Sequence, residues 1–463
     1  MDVDLTTPME MEIDLAEKVA ARAINGPRYT SYPPATRFGA IEEPQVLQAL
    51  AQLGERQTPV SLYAHLPFCS SLCWYCGCNV VVSRDRKKAT PYVDTLATEA
   101  VMLAKALGKI PPITELCLGG GSPNFLAPPD LKRLLSALER YLPMLPDARR
   151  SVELDPRDST VEQLQVFRDH GFRSLSVGVQ DFHPAVQEAI HRHQSAEQTA
   201  SLIAAARELG WNDINIDIVY GLPRQTEETF CDTIDRIIEL APDRVSLFGY
   251  AHLPERRPHQ LLVEKAGRVL DLYERASLLI AANKRFAAAG YLSIGLDHFA
   301  KPNSDLARAS TEGRLTRNFQ GYVPRRADAI LGIGATAIST TEELIWQNGD
   351  LVEWQRAIES GRFGHARGVH LIYEDRLRRD VIMELMCTGG LDYVAMGKRH
   401  HLDFAEHFAK ELTQLDTMDE LVAVDRQAGA LRTTEIGRML VRNVAMVFDR
   451  YLAQSPLPFS STI

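Results

Sequence analysis

Short apolar runs alternate, over the first 300 residues, with longer segments whose apolar positions recur at helical spacing. The runs at 61–65, 114–118, 151–154, 174–177, 214–219, 244–248 and 292–294 have the length and character of strands. Residues 129–141 and 161–170 are examples of the helical segments between them. At three places a helical pattern stops at glycine, then an aromatic, then a strand: Gly171-Phe172, Gly210-Trp211 and Gly290-Tyr291. Glycine suits the left-handed position that closes a helix. Repeated βα units imply a parallel sheet covered by helices, as a barrel or as an open doubly wound sheet.

Polar and glycine residues follow these strands. A cysteine loop follows the first, and Gly119-Gly120-Gly121-Ser122-Pro123 the second. Glu153 and Asp155 end the third, Gln180 lies past the fourth, and Asp217 lies within the fifth. Tyr250-Ala251-His252 follows the sixth and Asp297-His298 the seventh. In α/β barrels the carboxyl ends of the strands carry the active site. After about residue 300 the rhythm fades. Residues 375–386 and 404–415 read as helices, 421–432 as a hairpin and 434–451 as a last helix. The organisation expected is an N-terminal segment over the substrate (1–50), a barrel core (51–300), a connecting region that completes the barrel (301–366) and a smaller α-rich, winged-helix-like domain (367–463). An accessory substrate lid is the reading preferred for that last domain.

The 45% apolar and 24% charged content is enough for a large core in a soluble protein. No stretch approaches the ~20 apolar residues of a membrane helix. The acidic start lacks the pattern of a signal peptide, so the cytoplasm is the expected location. A net charge of −9 argues against nucleic acid, and an acidic substrate would need local arginines.

Four of the seven cysteines fall within ten positions, Cys69-Ser-Ser-Leu-Cys73-Trp-Tyr-Cys76-Gly-Cys78. A disulfide framework would spread them out, so clustered thiols point to a metal. The C-x3-C-x2-C spacing wraps Cys69, Cys73 and Cys76 around one face of a [4Fe–4S] cube and leaves one iron open for chemistry. Structural zinc usually pairs two knuckles across a longer spacer. Cys78 is surplus and is expected beside the site, while Cys117, Cys231 and Cys387 read as small buried hydrophobes.

C-x3-C-x2-C is the signature of the radical S-adenosylmethionine (SAM) superfamily. The surrounding Ser61-Leu-Tyr63-Ala-His65-Leu-Pro67-Phe-Cys69 and Cys76-Gly-Cys78-Asn79 resemble the oxygen-independent coproporphyrinogen III oxidases. So do Gly26-Pro-Arg28-Tyr-Thr-Ser-Tyr32-Pro, Gly178-Val-Gln180-Asp-Phe182, Asn215-Ile-Asp217, Tyr220-Gly-Leu-Pro223, Asp297-His298-Phe-Ala, Asn318-Phe-Gln320-Gly-Tyr322 and Arg378-Arg-Asp380-Val. The resemblance covers nearly the whole chain. It implies an incomplete parallel (β/α) barrel of the radical SAM type with a smaller α-rich C-terminal domain. It also implies conversion of two propionates of coproporphyrinogen III to the vinyl groups of protoporphyrinogen IX, in haem synthesis without oxygen. The reduced cluster would pass an electron to SAM, and the deoxyadenosyl radical so released would take a hydrogen from the propionate β-carbon before CO₂ leaves.

By motif match, Tyr63, Gly120, Glu153 and Ile338 resemble contacts to a first SAM. Tyr75, Gly121, Ser122, Gln180, Arg192, Asp217 and Ala251 resemble contacts to a second. Cys78 and Tyr63 are expected to serve the chemistry directly, and Arg28 to hold a propionate as residues 26–34 fold over the barrel mouth. An electron donor such as flavodoxin and a monomeric state are also expected. The chain departs from the family at Leu118 (often Trp), Ser122 (usually Thr), Val323-Pro324 (usually Thr-Thr) and Thr388-Gly389-Gly390 (usually Asn-Phe). Rival readings are the haem chaperones of the same family and a haem-degrading radical SAM methyltransferase. The chaperones lack the fourth cysteine and the Gly-Pro-Arg-Tyr-Thr-Ser-Tyr segment, both present here.

Overall fold

The computed structural model describes residues 8–318, 320–324, 327–454 and 458–463. Twelve strands form one sheet: β1 (Val60–Leu66), β2 (Ile113–Gly120), β3 (Met144–Leu154), β4 (Ser174–Gln180), β5 (Asp213–Tyr220), β6 (Arg244–Gly249), β7 (Leu292–Ile294), β8 (His298–Ala300), β9 (Ala329–Ile333), β10 (Ile338–Thr340), β11 (Leu344–Asn348) and β12 (His365–His370). Their order is β12-β11-β10-β9-β1-β2-β3-β4-β5-β6-β8-β7. The seven strands from β9 to β6 run parallel and the strands on either flank antiparallel. Helices cover the parallel part, and the two edges of the sheet do not pair, so the structure is an incomplete parallel (β/α) barrel.

Strand alternation explains what faces where. Leu62, Ala64, Leu116, Leu118, Val152, Leu175, Val177, Ile214, Ile216, Val245 and Leu247 belong to the apolar core under the helices. The intervening residues are polar and bond to one another across neighbouring strands. Arg149 reaches Glu115 at 2.8 Å and Asp213 at 3.0 Å, and Arg244 holds Asp213 at 2.6 Å. Above that layer, Asn215 links Ser176 and Ser246, each at 2.9 Å. The carboxyl ends of the strands then carry the glycines and acids of the site.

The three glycine stops adopt the left-handed φ expected, at 82° (Gly171), 80° (Gly210) and 82° (Gly290). The aromatics that follow, Phe172, Trp211 and Tyr291, are buried. The helix Val161–Asp169 starts with a capping box in which Thr160 and Gln163 bond reciprocally.

Three expectations need correction. Residues 292–294 do form a strand, but β7 joins β8 as an antiparallel hairpin at the edge rather than continuing the parallel series. The fading of the rhythm after residue 300 hid β9, which pairs parallel to β1, and the antiparallel run β10–β12. The C-terminal helices are also more broken: 404–415 divides into Phe404–His407 and Ala409–Leu415, and 434–451 into Glu435–Met439 and Val441–Met446.

The N-terminal segment is built into the molecule. Helix Pro8–Arg22 packs on helix Leu272–Ala288 and buries Ala16 and Val19. Tyr29 donates to Asp449 at 3.0 Å, and Asn25 bridges to Ser461. Chain start and C-terminal residues thus close together over the β6 side of the barrel mouth.

Candidate active site

The cysteine loop leaves β1 through the short strand Phe68–Cys69, which pairs with Val81–Val82. All three motif thiols are free. Guanidinium groups of Arg192 (3.4 Å) and Arg157 (3.6 Å) donate to Cys73 Sγ. The Cys78 backbone N–H donates to Cys76 Sγ at 3.4 Å. The Cys78 side chain is the largest influence on the Cys76 thiol and holds it down at about 6, against the opposing pull of burial. A second segment clamps the loop from 180 residues away. Arg257 donates to Gly77 O at 2.9 Å, His259 to Cys76 O at 2.8 Å, and Gln260 to both Tyr75 O (2.9 Å) and Ala251 O (3.1 Å).

The residues proposed for a first SAM gather at the ends of β1–β3. Tyr63 hydroxyl and His65 Nδ1 lie 3.0 Å apart, and His65 Nε2 lies 3.3 Å from Asn79 O. The carbonyl must accept, so Nε2 carries the proton and Nδ1 accepts from Tyr63. Burial pulls this imidazole down to about 4, which keeps it neutral. The glycines have packing reasons of their own. A Cβ on Gly120 (φ 107°) would fall 2.3 Å from the His65 ring, and one on Gly119 2.6 Å from the Glu153 carboxylate. A Cβ on Gly121 would meet the Pro67 backbone at 2.6 Å. Ile338 abuts Gly332, the register partner of Tyr63.

The residues proposed for a second SAM form a neighbouring group. Gln180 takes a left-handed φ of 70° at a bulge between β4 and β5, an outlier of the kind that strain at functional sites maintains. Arg192 donates to Gly178 O and pairs with Asp155 at 3.1 Å. Tyr75 feels the charge of both Arg192 and Asp155. Ser122 and Gly121 are fixed by backbone bonds to Phe68 O and Leu66 O, each 2.8 Å. The Ser122 hydroxyl contacts Asn124 and accepts from Asp155 N. Asp217 accepts from Ser176 and Asn215, both at 2.8 Å, and its charge is felt by Glu153. Arg28 reaches the barrel mouth, donating to Gly249 O at 2.7 Å.

Sequence reasoning missed Arg157, the 257–260 clamp and His65 as a working contact. Asp155, placed by the sequence only at the end of the third strand, binds Arg157 and Arg192, which both donate to Cys73. Only strand-end position could have pointed to these residues, because each acts across long sequence separations.

The donor set fits an iron–sulfur cluster. Among the described residues no three His, Cys, Asp or Glu side chains converge closely enough to hold a single metal ion. Thiols spread along one loop instead suit a cube, in which each ligates its own iron. Two guanidiniums on Cys73, the buried Arg192 and the half-buried Arg157, offset the negative charge such a group brings. Glu153, with Gly120 N–H on its carboxylate, suits a cationic ligand. Burial, aided by Asp217, pushes its carboxyl up to about 7. A cation binds the ionised form, so SAM affinity is expected to rise through neutral pH and then level off, and Glu153→Gln should flatten that rise in calorimetric titrations. Without ligand the sign reverses for stability. The folded carboxyl holds its proton more tightly than the unfolded one, so its contribution declines as pH climbs from the ordinary carboxylate value toward 7.

The chain is similar to known proteins along most of its length. The Radical SAM superfamily model matches residues 63–237. An oxygen-independent coproporphyrinogen III oxidase of Pseudomonas aeruginosa is 38% identical over 451 residues, covering 94% of this chain and 96% of the relative. That of Escherichia coli is 40% identical over 434 residues, covering 93% and 94%. The solved structure of the Escherichia coli coproporphyrinogen III oxidase, described as a radical SAM enzyme, aligns with a TM-score of 0.87 at 39% identity, covering 92% of this chain and 98% of that one. With identity and coverage of this order on top of the three-thiol loop at the mouth of a parallel barrel, the chain belongs to the oxygen-independent coproporphyrinogen III oxidase family of radical SAM enzymes.

Proposed function

We infer that this oxidoreductase converts two propionates of coproporphyrinogen III to vinyl groups, giving protoporphyrinogen IX in haem biosynthesis without oxygen. The observation that carries the reading is the Cys69–Cys73–Cys76 loop, open at the barrel mouth and flanked by Arg192 on one side and Glu153 on the other. Cys69, Cys73 and Cys76 would hold the [4Fe–4S] cluster, and the strand ends beside them would hold SAM next to it. When bound, the two cofactors supply the one-electron chemistry that removes hydrogen from the propionate β-carbon.

The chain's own residues bind, orient and exclude water. Glu153 would accept from the first SAM and Asp217 from the ribose hydroxyls of the second. The Tyr63–His65–Asn79 chain is neutral and fixes the wall beside it. Arg192 ties the cysteine loop to β4 and to Asp155. Trp74 and Tyr75 pack against Val186, Ile190, Val219 and Tyr250 and keep water from the second group of contacts. A second SAM there, an external reductant such as flavodoxin, a monomeric state and a cytoplasmic location complete the proposal. Among the described residues no helix is long and apolar enough to cross a membrane.

The test separates an oxidase from a haem chaperone. Reconstituted protein should consume SAM in step with decarboxylation and should not retain haem through gel filtration. Stoichiometric haem retention with no SAM turnover would move the chain to the chaperone branch.

A further inference from the structure

Four arginines crowd one side of the barrel mouth. Arg28 donates to Gly249 O at 2.7 Å and Arg275 to the adjacent Tyr250 O at 3.0 Å. Arg442, from the C-terminal helix Val441–Met446, donates to Ser461 O at 2.7 Å and to Gly26 O at 3.4 Å, two residues from Arg28. Arg317 contacts Asp297 at 3.4 Å and lies over the Tyr322 ring at 4.6 Å. Arg275 and Arg442 are each 5% exposed, and the Arg317 side chain 4%. Arg28 is only half-buried, so the cluster has an open side.

The charges do not balance. Asp297 is the carboxylate whose charge Arg28, Arg317 and Arg442 all feel, and it is already bonded to His298 at 2.7 Å. Among the described residues the hydrogen bonds of Arg28, Arg275 and Arg442 go to main-chain oxygens, Ile463 O among them, and Arg275 also lies over the Tyr220 ring at 5.8 Å. The Nε–H groups of Arg275, Arg317 and Arg442 are buried with no acceptor among the described residues. Burial, then the neighbouring charge of Arg28, pulls Arg442 down to about 9. Uncompensated buried charge is destabilising by several kcal/mol, and guanidinium forks match carboxylates. An anionic guest is what this arrangement lacks.

We propose that Arg28, Arg275, Arg317 and Arg442 form a carboxylate receptor for the propionates of the tetrapyrrole that are not reacting. The proposal rests on the functional reading above. A reacting propionate must lose CO₂, and tight pairing with guanidinium would stabilise its carboxylate against that loss. The retained propionates have no such conflict. The cluster also gathers at the ends of β6 and β8, while the cysteine loop starts from β1, five strands along the sheet from β6. Asn215, Ser246 and His298 lie between it and Asp217. Arg442 and Arg28 bring the two ends of the chain into the same receptor.

The full-length, cluster-loaded protein tests this with Arg442→Gln, Arg442→Lys and Arg28→Gln. KM for coproporphyrinogen III should rise about tenfold or more in the Gln variants, the loss expected for one charge-assisted carboxylate bond. Arg442→Lys should lie between. Weaker anchoring should also release more of the half-reacted, monovinyl tricarboxylate before the second decarboxylation. Equilibrium binding is read with deuteroporphyrin, which keeps only the two propionates that do not react, and with its dimethyl ester, which has no free carboxylate. The parent should prefer the first, and the Gln variants should lose that preference. A purely structural role would weaken both porphyrins alike and leave the monovinyl fraction unchanged. That outcome, or KM values within twofold of the parent, overturns the proposal while the oxidase reading stands. If Arg442→Gln does not fold, Arg28→Gln, whose group holds one backbone carbonyl, decides. A parent protein unable to convert coproporphyrinogen III overturns both.

Discussion

Alanine at Cys69, Cys73 or Cys76 is expected to remove the [4Fe–4S] cluster and all activity, whereas Cys78→Ala should keep the iron. The four thiols are not equivalent. Cys73 is buried under two guanidiniums, and Cys76 is tied back by its own N–H to Cys73 O at 3.2 Å and by His259 on its carbonyl. Cys69 is fixed at the end of a strand. Cys78 is the residue that donates to Cys76 Sγ, through a backbone N–H that alanine retains. Iron and sulfide per chain, together with the visible absorption of anaerobically purified protein, read the outcome. Loss of iron in Cys78→Ala as complete as in the other three would mean that the ligand set is wrong. Retained iron with reduced turnover would place Cys78 beside the reacting groups.

The second large effect is expected at Arg192. Its side chain is 7% exposed and joins Cys73 Sγ, Asp155 and Gly178 O, so it ties the cysteine loop to the ends of β3 and β4. His191, with φ 53°, makes the turn that delivers it there. Arg192→Ala leaves Asp155 buried with Arg157 as its remaining cation. Because Arg157 still holds the carboxylate, the loss is that of a charge-assisted bond, about 1.5–3 kcal/mol. Denaturant unfolding should show that loss, and calorimetry should show SAM binding weakened by tenfold or more. Arg192→Lys should restore part of the stability but little of the SAM affinity, because an ammonium cannot span three acceptors. Unchanged unfolding and unchanged SAM affinity in Arg192→Ala would mean that the contacts seen at this side chain carry no weight.

The barrel was legible because its signals are local. Glycine, aromatic, strand is a three-residue grammar, and Gly171, Gly210 and Gly290 all obey it. The cysteine loop was legible for the same reason. What stayed hidden depends on distance or on two-sidedness. Asp213-Ile-Asn215-Ile-Asp217-Ile alternates polar and apolar residues, which declares a polar face inside the barrel and an apolar face under the helices. Read as an apolar run, it gives the strand but not the buried ladder of Arg149, Asp213 and Asn215. β9 is only Ala329-Ile-Leu-Gly-Ile333, with no βα rhythm around it, and its place beside β1 is set by pairing rather than by local pattern. The Arg257–Gln260 clamp has no local signature at all. Arg28 could be singled out by the resemblance, but its company of Arg275, Arg317 and Arg442 comes from three other, distant parts of the chain.

Product analysis after anaerobic incubation of reconstituted protein with SAM, a reductant and coproporphyrinogen III tests the central claim most directly. The account predicts protoporphyrinogen IX, two CO₂ released for each tetrapyrrole converted, and SAM consumed in proportion. Cluster-loaded protein that cleaves SAM yet leaves all four propionates of coproporphyrinogen III intact would contradict it.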